Sequence, residues 1–344
     1  MKVEHNVSLA PLTTLGVGGP ARHLIEAFRE EDVIEAVRLA KRSDLPALIL
    51  GEGSNIVVGD RGYDGYVIRV MTSGISEIGS DAETVSLTAA AGESWDRFVS
   101  LAVDRGLAGI ECLSGIPGTV GATPIQNVGA YGQEVSQTIE RVKCFDTELD
   151  HVVEIDAADC GFSYRQSIFN SSRHGRFIVL SVTFRLMRNG RPVIAYKELA
   201  ERFGGKSPGL AEVRDAVISI RAAKSMVIDK EDPNSRSVGS FFKNPVINEA
   251  EFDRIRSMRP DVPSFAAPDG IKIPAAWLIE NSGLHKGFAM GRAGISSNHT
   301  LALINRGGAS TAEILALRDH IREKVAETFD IELRQEPVMV GDQA

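Results

Sequence analysis

No uninterrupted apolar run in the 344-residue sequence approaches the roughly 18 residues that cross a bilayer. The opening residues, MKVEHNVSLA, lack the basic and apolar regions of a secretory signal, so a cytoplasmic chain with no membrane partner is expected. Cysteine is scarce: Cys112, Cys144 and Cys160 form no CxxC pair and are too few and too scattered for a disulfide framework, so buried, reduced thiols are expected. The seven histidines form no HExxH, HxH or Cys/His cluster, and no metal is expected. A GxSxG elbow and a GxxxxGK[ST] loop are also missing, which removes the main support for a serine hydrolase of that type or a P-loop enzyme. A net charge of -8 argues against a nucleic-acid partner but leaves room for a local basic pocket around one phosphorylated ligand.

What is present is ordinary globular material. With 43% apolar and 24% charged residues, the chain is long enough for two or three domains with real cores. EDVIEAVRLAKRSD (31–44) has apolar residues at helical spacing behind an acidic first turn, and LPALIL after it reads as a buried strand. In GEGSNIVVGDRGYDGYVIRV the glycines are followed by β-branched residues, giving strand, turn, strand. A dinucleotide fingerprint of the Rossmann kind must open a helix, so neither GEGSN nor GVGGPA (16–21), which leads through Pro20 toward a strand, meets that requirement.

A second region begins near Met71: TVSLTAAAG reads as strand and ESWDRFVSLAVDRG (93–106) as a helix closed by Gly106. RVKCFD, HVVEI and FIVLSVTFRLM read as strands, AYKELAERFG and 211–225 as helical pieces, and DKEDPNSRS as an exposed loop or boundary. The last third holds a Pro-started helix at 274–283 and a long helix at 310–330, opened by a capping box of Ser310 and Glu313. Three α+β units fit this punctuation.

Between these elements lies GIECLSGIPGTVGATPIQNVGAYG, Gly109 to Gly132, with six glycines, two prolines and a single charge, Glu111. Glycines let successive backbone N–H groups converge on an anion such as a phosphate or pyrophosphate. GEGSN supplies a second such turn, with Ser54 and Asn55 as short hydrogen-bonding side chains. The plainer alternative is that both are tight turns of β-rich domains, and spacing alone leaves the two readings open.

TTLGVGGPA, LILGEGSNIVV, GLAGIECLSGIPGTVGATPIQNVGAYGQEV, FSYRQSIF, VGSFFKNP and PAAWLIENSGL, in this order and spacing, resemble the UDP-N-acetylenolpyruvoylglucosamine reductase family, over about Asn6 to Gly341. The resemblance implies an α+β fold of three domains. Two form a vanillyl-alcohol-oxidase-type (PCMH-like) FAD-binding unit, at 1–70 and at 71–222 with 331–344 returning to the latter, and a substrate-binding domain spans 223–330. It implies FAD held noncovalently, NADPH as co-substrate, and reduction of UDP-N-acetylglucosamine enolpyruvate in peptidoglycan precursor synthesis by a monomer. The same resemblance implies that hydride passes from flavin N5 to the enolpyruvyl methylene carbon and that the neighbouring carbon is then protonated.

By the same resemblance Gly51, Gly53, Ser54, Asn55, Gly115, Ile116, Pro117, Gly118, Gly121, Gln126, Asn127 and Gly129 hold the FAD. Ser240 of GSFFKNP matches the proton donor, Arg165 of YRQS the grip on the substrate carboxylate, and Glu336 the third catalytic member. Read alone, Ser240 is a turn serine after Gly239 and Arg165 a solvated surface residue. Around Glu336 the chain departs from the family pattern, reading RQEPVMVG with its proline displaced and no following base, so Glu332 stands as the alternative. Tyr196 resembles the closing tyrosine of the subgroup with an extra loop, Lys224 the lysine that meets the diphosphate, and Lys243 and Asn244 nicotinamide or substrate contacts. Cys112, inside the glycine loop, reads as a small buried thiol.

Overall fold

The computed structural model describes residues 1–341. The mixed α+β class expected from the sequence is what forms, and the chain divides into two compact units. Unit 1 comprises Met1–Val7, Ala21–Glu52 and Asp64–Val227; unit 2 comprises Ser8–Pro20, Gly53–Tyr63 and the chain from Ile228 onward.

In unit 1 a four-stranded sheet has the order Val3–Ser8, Pro20–Ala27, Tyr63–Val70, Ala47–Leu50, the last two parallel. The helix that connects into it, α1 (Glu30–Arg42), has three acids in its first turn and Lys41 and Arg42 in its last, matching the helix dipole at both ends. Its Val33, Ala36, Val37 and Ala40 recur at i, i+3, i+4 and i+7, and all four are buried. A larger antiparallel sheet orders His151–Asp156, Ile139–Asp146, Phe177–Arg188, Thr84–Ala90 and Ile75–Ser80, with Leu107–Ala108 paired to the central strand. Phe177–Arg188 is buried on both faces over most of its length, which is why it reads as one continuous apolar run. Across it lies α2 (Trp95–Asp104), whose Trp95 and Phe98 pack on Phe184, ring centres 5.7 and 4.8 Å away. Then α3 (Lys197–Phe203) and α4 (Leu210–Ala223) build a small satellite core: Leu199, Val213, Ala216, Val217 and Ile220 close over Cys112.

Unit 2 packs α5 (Glu249–Met258), α6 (Ala275–Asn281) and α7 (Thr311–Phe329) with an antiparallel sheet of order Ser237–Ser240, Ala302–Asn305, Ala293–Ile295, Ala289–Met290, and with a three-stranded sheet built on Gly270–Lys272. Ser310 and Glu313 form the expected capping box, while Asp60 accepts from the Thr311 and Ala312 amides at 2.7 and 2.9 Å. Pro274 sits one residue earlier than expected, as the N-cap of α6 rather than its first helical residue. DKEDPNSRS, expected as an exposed loop, contains a 3-10 turn whose Ser235 is buried and donates to the Asp229 carbonyl, and the two units meet in sequence just before it.

The expected division needs correction in two places. Ser8–Pro20 and Gly53–Tyr63, placed within a first subdomain of 1–70, belong to unit 2: Leu9 donates to the Gly19 carbonyl and Gly19 to that of Gly59, so the two segments interlock. Residues 331–341, expected to return to 71–222, also belong to unit 2, because Val338–Val340 pairs in parallel with Ile56–Val58 and Gly59 donates to the Val340 carbonyl. The remainder of that tail, 342–344, lies outside the described residues.

Three residues carry testable consequences. In unit 1 Asp146 is 1% exposed; it accepts two bonds from Arg176 Nε and one, at 2.7 Å, from Nη2, and also the amides of Glu148 and Leu149. The Arg176 guanidinium, helped by those amides and opposed by burial, holds this carboxyl below its usual range. A depressed carboxyl stabilises the fold above its unfolded value near 4 and loses that contribution as pH falls through the folded value. Asp146→Asn is therefore expected to cost about 2 kcal/mol at pH 7, and urea titrations should show the gap from wild type closing below about pH 4. In unit 2 Gly53 has φ +65, and an added Cβ would lie 2.2 Å from the Leu12 carbonyl oxygen. Gly53→Ala is expected to cost about 3 kcal/mol in the same titration, from strain plus overlap. Gly204→Ala, with φ +55 and open space at its Cβ, should cost only about 1 kcal/mol.

Candidate functional site

The glycine-rich loop has little regular structure to absorb its polar backbone, and unit 1 shows where those groups go. After a buried 3-10 turn at Glu111–Leu113, residues 115–121 run against the start of α2. Trp95 N–H donates to the Gly118 carbonyl at 3.0 Å, Val120 N–H to Glu93 at 2.9 Å and Gly121 N–H to Ala91 at 2.8 Å. Gly115 N–H donates to Asp96 Oδ1 at 2.6 Å and Gly118 N–H to Glu52 Oε2 at 2.8 Å. An added Cβ on Gly51 would lie 2.7 Å from Thr119 Oγ1. The turn at 51–52 and the bend at 115–119 are thus in contact, as a shared anion cradle requires. The amides of Gly115, Gly118 and Gly121 are nevertheless committed to the protein, which corrects the expectation that naked amides at these glycines face a ligand. What they contribute is close approach of bare backbone.

Further along, Asn127 is 1% exposed and its carboxamide is occupied: Oδ1 accepts from Ser136 N–H, and Nδ2 donates to Glu134 Oε2 and to the Ser163 carbonyl. Its role is to hold the turn. Arg165 follows from this frame: half-buried, with φ 55, it donates from Nη2 to the Gly129 carbonyl at 2.9 Å and lies 5.5 Å from the Tyr164 ring centre. Gln126, Ile116 and Pro117 of the loop are all half-buried.

Cys112 is fully buried in the same loop, and burial pushes its thiol up to about 12, so it stays protonated and is no nucleophile for a covalent link. Its amide donates to Gln133 Oε1, and Gln133 Nε2 donates to Glu111 Oε1, while Gly109 N–H donates to Glu111 Oε2. The lone charge of the loop is therefore a buried brace, 1% exposed. Tyr196, the N-cap of α3, is exposed and meets Tyr131 edge-on at 5.2 Å. Lys224, the C-cap of α4, is tied to Glu198 Oε2 at 2.5 Å.

Unit 2 gathers the other candidates. Ser240 ends the strand Ser237–Ser240 and is half-buried. Just beyond it, Phe241 accepts the Glu336 amide at 2.8 Å, Lys243 N–H donates to Arg334, and Phe242 bridges Gln335. Residues 241–243 and 334–336 therefore run antiparallel, and Glu336 is brought to the backbone beside Ser240. Glu332 lies outside this pairing, exposed and bound to Arg322 Nη2 at 2.6 Å. The GEGSN turn joins them through backbone: Thr14 N–H donates to the Gly53 carbonyl, Thr14 Oγ1 to that of Ser237, and Val338 N–H to that of Asn55. Gly53, Ser54 and Asn55 thus share a unit with Ser240 and Glu336. Asn244 spends its Oδ1 on the Ala275 amide at the start of α6, which leaves its Nδ2 as the donor it has to offer. The sequence motifs do not single out Thr14, Glu52, Asp96, Arg214 or Arg221. Thr14 and Glu52 lie inside motifs that carry the resemblance, but nothing in spacing marks the other three.

Comparison with known proteins accounts for both units. Residues 232–340 match the model of the UDP-N-acetylenolpyruvoylglucosamine reductase C-terminal domain, and residues 21–156 match an FAD binding domain. A UDP-N-acetylenolpyruvoylglucosamine reductase of Thermobifida fusca (strain YX) is 49% identical over 349 residues, covering 98% of this chain and 97% of its own. One of Streptomyces avermitilis is 47% identical over 350 residues, with 98% and 94% covered. The crystal structure of the reductase from Thermus caldophilus superposes with a TM-score of 0.70 at 26% identity, covering 99% of this chain and 100% of that one. The chain belongs to the UDP-N-acetylenolpyruvoylglucosamine reductase family, FAD-binding oxidoreductases of peptidoglycan precursor synthesis.

Proposed function

We propose that this chain reduces UDP-N-acetylglucosamine enolpyruvate with NADPH, as a cytoplasmic monomer, and that Ser240, Arg165 and Glu336 carry the chemistry. The observation that supports this reading is the antiparallel pairing of 241–243 with 334–336, in which the Glu336 amide bonds the carbonyl of Phe241, the residue after Ser240. When bound and reduced by NADPH, FAD would supply the hydride for the enolpyruvyl double bond. The residues that would hold it are the 51–55 turn and the 115–129 loop, whose bare glycine backbones suit close approach of a dinucleotide. The two separate sheets of unit 1 support the proposed pair of FAD-binding subdomains, with the substrate-binding domain in unit 2.

Saturating the double bond leaves negative charge on the carbon next to the substrate carboxylate, so that carbon must receive a proton. Ser240 Oγ is the proposed donor. An alkyl hydroxyl is a weak acid, but a strongly basic enolate is a sufficient acceptor, and Lys243, half-buried and three residues on, supplies charge that favours the alkoxide. Arg165 grips the carboxylate, its fork already oriented by the Gly129 carbonyl. Glu336 orients the protonating end of the site. Tyr196 closes over the substrate as in the extra-loop subgroup, Lys224 exchanges Glu198 for the diphosphate, and Asn244 contacts nicotinamide or substrate through Nδ2.

Stopped-flow absorbance separates the half-reactions. Ser240→Ala is expected to leave bleaching of the flavin by NADPH within about threefold of wild type and to slow reoxidation by the enolpyruvyl substrate by roughly 10²–10⁴. Glu336→Gln should likewise slow only reoxidation, and Glu332→Gln neither step. Equal loss in both half-reactions for Ser240→Ala would remove it from the proton-donor role.

A further inference from the structure

Gly115 opens the GIPG bend with φ +70, a left-handed conformation that glycine adopts without strain and also leaves easily. In unit 1 both polar groups of this residue are held. Its N–H donates to Asp96 Oδ1 at 2.6 Å and its carbonyl accepts from Arg221 Nε at 3.1 Å. Asp96 is itself gripped by a two-pronged arginine: Arg214 Nη1 lies 2.7 Å from Oδ1 and Nη2 2.8 Å from Oδ2. Arg214 and Arg221 stand seven residues apart on α4, hence on one face, and Asp96 lies in the first turn of α2, where a carboxylate is favoured. Arg221 is 6% exposed and is anchored in turn to the Met226 carbonyl at 2.7 Å.

We propose that Asp96, buttressed by Arg214, is a positioning residue for cofactor binding: by accepting the Gly115 amide it holds the 115–118 bend in its binding-ready shape before FAD arrives. This rests on the reading of that loop as part of the FAD cradle. The geometry separates two jobs of one carboxylate. Its pair with Arg214 ties α2 to α4, while the bond from Gly115 sets a peptide plane in the loop. Burial pulls the Asp96 carboxyl upward, but Arg214 and the Gly115 amide outweigh it and keep it below its usual range, so the acceptor is ionised at neutral pH. Preorganisation of this kind raises affinity by removing an ordering cost from the binding step.

The test titrates the flavin-stripped full chain with FAD, following the change in flavin fluorescence, together with amide exchange of peptides spanning Gly115 and α2. Asp96→Ala should raise the FAD Kd at least about tenfold and speed exchange at Gly115 by a similar factor, while the 97–104 peptide stays as protected as in wild type. The deciding variant is the exchanged pair, Asp96→Arg with Arg214→Asp. It restores an ion pair between the helices but puts a donor where Gly115 needs an acceptor, so the weak Kd is expected to persist. Return of the exchanged pair to within about threefold of wild type, or an Asp96→Ala Kd that close to wild type, would overturn the proposal and leave Asp96 as a strut between helices. Loss of cooperative melting in both Asp96→Ala and the milder Asp96→Asn would overturn it in the same way. A wild-type chain that takes up no FAD would sink the cradle reading itself, and the wild-type titration distinguishes that failure from the others.

Discussion

A loop of six glycines can be held in one shape only if its backbone polar groups are paired, because each left unpaired in a buried setting costs as much as a lost hydrogen bond. The first turn of α2 and the segment before it meet this requirement for residues 115–121. Ala91, Glu93, Trp95 and Asp96 take the loop's donors and acceptors in sequence, as if the loop were an extra strand laid across the helix start. That contact exists because Trp95 and Phe98 are pinned on Phe184 of the central strand, and Trp95 Nε1 reaches the Leu113 carbonyl at 3.0 Å. The large sheet fixes the helix, and the helix fixes the loop.

Much of this is legible where the period is strong. The buried stripes of α1 and α2, the continuous strand 177–188 and the capping box of α7 each leave a local signature, and each forms as the sequence predicts. The strand, turn, strand pattern around 51–55 forms too, since Ala47–Leu50 and Ile56–Val58 flank the turn. Helix α5 leaves a much weaker trace although Asn248 and Glu251 form a capping box, because only Phe252 and Ile255 of its ten residues are buried and the apolar stripe is correspondingly thin.

Long-range pairing is what a linear pattern does not carry. The RQEPVMVG departure casts doubt on Glu336 by local pattern, yet its place follows from strand register. Glu336 bonds Phe241, Gln335 bridges Phe242, and Arg318 of α7 reaches Gln335 Oε1 at 3.1 Å. Register is invisible in a motif, as is the choice of partner for Val338–Val340, which lies some 280 residues upstream at Ile56–Val58. The same holds for the interlock of Ser8–Pro20 with Gly53–Tyr63: Gly19 admits the Asp60 carbonyl so closely that a Cβ there would lie 2.2 Å from it. Such contacts decide the unit boundary against the simple cut at residue 70.

Carboxylates around a loop proposed to receive a diphosphate look misplaced until their surroundings are counted. A lone carboxylate about 6 Å from a phosphate charge costs roughly 3 kcal/mol at an effective dielectric near 20. Asp96 avoids this because both its oxygens face Arg214, and Arg221 stands on the same helix face, so the cluster carries net positive charge toward Gly115. Among the described residues Glu52 has no such counterion in its bond to Gly118, but it is exposed, where water and salt screen its charge. The chain's overall charge of -8 therefore says little about this loop. Of the acids that shape it, Asp96 is neutralised by arginine, Glu52 is left to solvent, and buried Glu111 is held by the Gly109 amide and Gln133.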